Sequence, residues 1–91
     1  MGTGSGILSI AAKMLGASAV VACDIDAEAA REATFFIGSV DAVRSGAFDV
    51  VVANISEVVI GDLKPEFERV APRRILSGFQ DARGEWTCVT L

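Results

Sequence analysis

The sequence contains no histidine, which excludes from these residues the imidazole ligands, the Ser-His-Asp triads and the usual near-neutral acid–base groups. Charged residues are also few, at 22%, against 52% hydrophobic. That balance excludes a solvated, disordered segment and predicts a globular chain. No apolar run approaches the roughly 18 residues of a membrane span, and Met1-Gly2-Thr3-Gly4 lacks the basic start of a secretory signal. The expectation is a soluble, cytoplasmic protein without a membrane partner. Positive charge is not in excess, since the formal net charge is −4; with no broad basic surface for phosphate backbones, no nucleic-acid partner is expected. Cysteine is limited to Cys23 and Cys88, far apart and each in an apolar run. They make no metal-type pair, no metal site is expected, and both read as buried, reduced thiols. Repeats, low-complexity tracts and linkers are missing, and 91 residues allow one domain at most.

What remains is punctuated by glycine. Met1 to Gly6 reads as a glycine-rich turn, after which Ile7, Ile10, Ala11 and Met14 recur at the spacing of one helix face, with Gly16 as the stop. Ala19 to Cys23 is a short apolar run ending at Asp24, the pattern of a fully buried parallel strand. Asp26 is placed to cap a helix beginning at Ala27, with Glu28 in its first turn. Phe35 to Gly38 and Phe48 to Asn54 are further strands, both expected in the interior. From Glu57 the pattern becomes helical; Pro65 is expected to open a second short helix after Asp62 rather than sit inside one, and Pro72 to end it. Arg74 to Gly78 and Trp86 to Leu91 supply the last strands. Strands alternating with helices predict an α/β fold built on an open, mostly parallel sheet, with helices packed on each side. Ligands of such sheets bind at the carboxyl ends of the strands, here the turns Gly2–Gly6, Asp24–Asp26, Gly38–Asp41 and Asn54–Glu57.

The loop Gly2-Thr3-Gly4-Ser5-Gly6 precedes a helix, so a ligand can approach its backbone closely and meet the N–H groups of the helix start. A glycine turn with no ligand is the alternative. Asp24 closes the next strand, where its carboxylate can accept hydrogen bonds from ribose hydroxyls; the competing job, helix capping, suits Asp26 better. The spacing is GxGxG, neither the GxGxxG of dinucleotide folds nor the phosphate-loop pattern. An adenosyl cofactor is therefore preferred to nicotinamide or ATP.

Gly2 to Ala12, Cys23-Asp24-Ile25-Asp26, Asp49 to Ile55 and Ile75-Leu76-Ser77-Gly78 together resemble the methyltransferases that modify protein eleven of the large ribosomal subunit, within the class I S-adenosylmethionine-dependent enzymes. The resemblance implies a Rossmann-like sheet, S-adenosyl-L-methionine as cofactor and amino groups of a ribosomal protein as acceptors. By it, Gly2, Thr3, Gly4 and Gly6 line the methionine and ribose part of the cofactor, Asp24 holds the ribose hydroxyls and Ile25 flanks the adenine. Asn54 faces the methyl-transfer centre, where an amide oxygen orients an amine without taking a formal charge; a strand-end turn cap is its alternative role. A class I enzyme acting on a small molecule or another protein, and a non-catalytic adenosyl- or partner-binding remnant, are the other readings. Against the family pattern, residues 1–91 form a partial core, lacking the first strand and the substrate-recognising domain. Ser39 replaces an adenine-contacting acid, with Asp41 displaced from that place, and Pro72-Arg73-Arg74 replaces a Pro-Gly-Gly turn. Two breaks are expected where family segments are missing, between Arg31 and Phe35 and within Gln80 to Trp86, because a parallel crossover normally needs a dozen or so residues.

Overall fold

The computed structural model describes residues 1–29 and 34–91, which divide into two compact units, Met1–Ser39 and Val40–Leu91. The first holds α1 (Ile7–Met14), β1 (Val21–Asp24) and β2 (Thr34–Ile37). Helix α1 starts behind Gly6, at φ 82°, and closes where Leu15 and Gly16 donate to the carbonyls of Ala11 and Lys13. β1 and β2 are parallel, with Val21 opposite Thr34 and Asp24 opposite Ile37. Ala22 and Cys23 of β1 are buried, as is Ser9 of α1.

Three expectations for this unit are corrected. The face shared by Ile7, Ile10 and Met14 does not pack on a sheet as helices on each side of one would, and those residues are exposed: spacing shows which residues share a face, and cover must come from elsewhere. No helix begins at Ala27. Asp26 instead stabilises a turn, accepting the N–H of Glu28 on Oδ1 at 2.9 Å and that of Ala29 on its carbonyl at 3.2 Å; the remainder of the expected helix, up to Thr34, lies outside the described residues. β2 is not interior either, since among the described residues it pairs with β1 alone and leaves Ile37 exposed.

The second unit begins with a short 3₁₀ turn, Val40–Ala42, followed by β3 (Val50–Asn54), α2 (Glu57–Val70), β4 (Arg73–Gln80) and β5 (Trp86–Thr90). β3 pairs parallel with β4 and β4 antiparallel with β5. Helix α2 packs against the 3₁₀ turn, β3 and β4 with Ile60, Phe67 and Val70 on its inner side, and Phe67 is wholly buried. Arg69 ties the preceding loop to the helix, donating to Ser45 Oγ at 3.1 Å and to the Val40 carbonyl at 3.4 Å. Pro72 ends the helix by forcing Ala71 into extended backbone, φ −147° and ψ 146°, because its ring clashes with a helical predecessor.

Here too the sequence expectations need amendment. Pro65 lies inside one continuous helix. An interior proline costs about 3 kcal/mol, but burial of side chains such as Phe67 and Val70 returns roughly 1.5–3 kcal/mol each, enough to hold the helix through it. β3 is not buried on both faces: Val51 and Ala53 point inward while Val50 and Asn54 are exposed, the alternation of a sheet covered on one side. Cys88 is exposed on β5, unlike Cys23. The expected single sheet is two, β1–β2 and β3–β4–β5. Of the two expected breaks, that between Arg31 and Phe35 falls largely on residues 30–33, outside the described residues. Thr34 and Phe35 are consecutive in β2, and Gln80 lies opposite Trp86 across a turn in which Asp81 Oδ1 accepts the N–H groups of Arg83 and Glu85. Among the described residues no helix is long and apolar enough to cross a membrane.

Candidate functional site

In the first unit the glycine loop is fastened to the end of β1. Thr3 N–H donates to the Cys23 carbonyl at 3.0 Å, and Gly6 N–H returns to the Thr3 carbonyl at 2.8 Å. Gly4 N–H donates to Asp24 Oδ2 at 3.0 Å, while Asp26 N–H donates to Oδ1 at 3.0 Å. These donors, Asp26 first and Gly4 second, hold the Asp24 carboxyl below its ordinary range, because a hydrogen bond to the charged form favours that form. An ionised carboxylate has about four lone-pair sites, so both oxygens keep capacity for a hydroxyl donor.

The loop backbone is open. Gly4, at φ 50°, has no atom within 4 Å of where a Cβ would stand, and no side chain caps the first turn of α1. Thr3 places its hydroxyl 3.4 Å from that of the buried Ser9. Ile25, next to Asp24, is 81% exposed and offers an apolar surface. Gly2, Thr3, Gly4, Gly6, Asp24 and Ile25 therefore gather at one end of this unit. Ser39 Oγ is buried without a hydrogen-bond partner. Asp41 falls in the 3₁₀ turn of the second unit.

Asn54 also belongs to the second unit, as the last residue of β3. It lies opposite Ser77 of β4, which lies opposite Cys88 of β5. Registered neighbours share a sheet face, so Asn54, Ser77 and Cys88 form one row across three strands. The backbone closes around it: Ile55 N–H donates to the Ser77 carbonyl at 3.0 Å, and Gly78, at φ 96°, comes so close that a Cβ would collide with the Ile55 carbonyl oxygen and stand 2.6 Å from Asn54 Oδ1. A bulge sits between Ser77 and Phe79. Asn54, Ser77, Gly78, Trp86, Thr87 and Cys88 line a cavity of about 470 Å³. Sequence reasoning did not find the Gly78 contact or the Trp86 wall; an isolated glycine within a strand pattern is the signal for the first. Among the described residues no cluster of three metal-type ligands occurs.

Parallel strand pairs and a glycine loop tied to an acidic strand end characterise a small α/β protein. The chain belongs to the ribosomal protein L11 methyltransferase (PrmA) family, whose model matches residues 1–85. It is 42% identical to the ribosomal protein L11 methyltransferase of Symbiobacterium thermophilum over 99 residues, covering 93% of this chain and 33% of that protein. Its likeness to the enzyme of the same name in Citrifermentans bemidjiense is 43% over 103 residues, 97% of this chain and 34% of the relative. That of Helicobacter pylori is 42% identical over 94 residues, 86% and 28%. The chain thus spans about a third of the length of the curated relatives it matches. Both of the longer alignments exceed the 91 residues of this chain, so those relatives carry residues within the match that this chain lacks. No solved structure matches.

Proposed function

We propose that residues 1–91 are the cofactor-binding part of a class I, Rossmann-like methyltransferase that uses S-adenosyl-L-methionine to methylate amino groups of large-subunit ribosomal protein L11. The observation that carries this reading is the 3.0 Å bond from Gly4 N–H to Asp24 Oδ2, which joins the glycine loop to the acidic strand end. The residues fit the cofactor. Gly2, Thr3, Gly4 and Gly6 leave an open backbone for its amino-acid and ribose portion, Asp24 accepts from the ribose hydroxyls, and Ile25 covers an adenine face.

The cofactor supplies an activated methyl group on a sulfonium. Asn54 would hold the acceptor amine by its amide oxygen, which accepts an N–H and leaves the nitrogen lone pair free to react. Rate comes mainly from positioning. The relatives' printed names support the substrate, and the cytoplasm is where a ribosomal substrate is met. Incubating the chain with purified L11 and methyl-labelled cofactor tests the proposal: label on L11 amino groups, strongly reduced by Asn54→Ala, is expected. A second reading, a binding remnant without transfer, draws on the short stretch between Asp24 and Thr34. Cofactor binding with no label on L11 is its signature.

A further inference from the structure

Among the described residues β5 is an edge strand, paired with β4 on one side and with nothing on the other. The ladder decides where its backbone groups point. Leu91 and Arg74 exchange both of their backbone bonds, at 2.8 and 3.1 Å, and the Glu85 carbonyl accepts from Asp81 N–H at 2.8 Å. Residues of an antiparallel pair alternate between bonded and non-bonded positions, so residues 85, 87, 89 and 91 turn their N–H and C=O groups to β4. Trp86, Cys88 and Thr90 turn theirs to the open edge. Such an edge is blunted in most proteins by charged side chains, a proline or a bulge. Trp86-Thr87-Cys88-Val89-Thr90 contains no charge and no proline. The bulge lies on β4, between Ser77 and Phe79, and leaves β5 regular. Trp86, Cys88 and Thr90 are also exposed.

We infer that the open edge of β5 pairs with β5 of a second copy of this chain, antiparallel about a two-fold axis, joining two sheets into one. A two-fold contact presents the same patch twice, so the strand must complement itself. The register that uses all of β5 is centred on its middle residue: Cys88 lies opposite Cys88 of the partner subunit, and Trp86 opposite Thr90 of the partner subunit. Every outward-turned residue then meets another, and each such pair can exchange both backbone bonds. Centring on Thr87 or Val89 instead runs one end of the strand past its partner. The Cys88 register places Glu85 opposite Leu91 of the partner subunit, so no like-charged side chains face each other along the strand. A second copy therefore suits this edge better than a charged peptide, for which β5 offers no counter-charge.

Sedimentation equilibrium of the reduced wild-type chain at roughly 0.15 M salt, where repulsion between exposed charges is screened, should show a reversible monomer–dimer equilibrium. Cys88→Lys sets two ammonium groups opposite each other only in the paired state, and Cys88→Glu does the same with carboxylates. Each should weaken the dimer by about fivefold or more, the scale of one opposed like-charge pair. An equimolar mixture of the two variants should recover it, because the register then faces lysine with glutamate. Circular dichroism checks that each variant folds. A measurement on the wild type alone reads the same edge: amide exchange at Cys88 and Thr90 should slow as protein concentration rises through the equilibrium, while that at Val89, turned to β4, should change little. A wild-type chain that stays monomeric up to about 1 mM, folded variants that associate as tightly as wild type, a mixture no more associated than its components, or unchanged exchange at Cys88 and Thr90 in the dimer would overturn the inference.

Discussion

Replacing Gly78 by alanine isolates the contact that shapes the Asn54 turn. Two costs fall on this substitution. The backbone at φ 96° disfavours an L side chain by roughly 1–2 kcal/mol, and the new Cβ meets the Ile55 carbonyl oxygen, Asn54 Oδ1 at 2.6 Å and Ile55 N at 2.7 Å. Two of these are backbone atoms, which cannot rotate away as a side-chain tip can, so an overpacking cost of about 1–3 kcal/mol is added. Gly78→Ala should therefore lower stability by about 2–5 kcal/mol, a large share of the roughly 5–14 kcal/mol of a chain this size. Gly84 supplies the control. It has a similar backbone, φ 80°, with nothing within 4 Å of a Cβ, so Gly84→Ala should cost only the conformational part, about 1–2 kcal/mol. Urea unfolding followed by circular dichroism measures both. Equal destabilisation by the two substitutions would refute the close approach of Gly78 to the Asn54–Ile55 turn.

Phe67→Ala empties the wholly buried centre under α2 and should cost about 3–5 kcal/mol in the same unfolding assay. Pro65→Ala should act oppositely, raising stability by up to about 3 kcal/mol, because it restores a helix donor and removes a ring clash; a lower midpoint would contradict the continuous helix. The Asp24 carboxyl is held below its ordinary value of 3.8, chiefly by the Asp26 and Gly4 amides. Its stabilising contribution is thus fully present above pH 3.8 and is lost as pH falls through the lowered value. Melts of wild type and Asp24→Asn should accordingly differ at neutral pH and converge only in strong acid; convergence already between pH 5 and 7 would contradict this.

Local signals were legible in the sequence wherever one residue type forces one geometry. Gly16 and Pro72 mark helix ends correctly, and Asp24 closes its strand as expected. The glycine loop is joined to the end of β1 by one backbone bond, from Thr3 N–H to the Cys23 carbonyl, and by one from Gly4 N–H to the Asp24 carboxylate. What was not legible depends on partners distant in sequence. The exposure of Ile7, Ile10 and Met14 turns on cover that periodicity cannot report. Pro65 remains helical because packing outweighs its local cost, and the division into two sheets depends on which strands pair, which apolar runs do not report. Asn54 was legible as a strand end, but its row with Ser77 and Cys88 needs the register of three strands.

Calorimetric titration of S-adenosyl-L-methionine into the wild-type chain, Asp24→Ala and Asp26→Ala tests the central claim most directly. The account predicts binding by wild type, a loss of roughly ten- to a hundredfold in Asp24→Ala, the scale of hydrogen bonds to a charged group, and near wild-type affinity in Asp26→Ala, whose side chain accepts the N–H of Glu28 in the following turn. No binding by a folded wild-type chain, or the same affinity in wild type and Asp24→Ala, would contradict it.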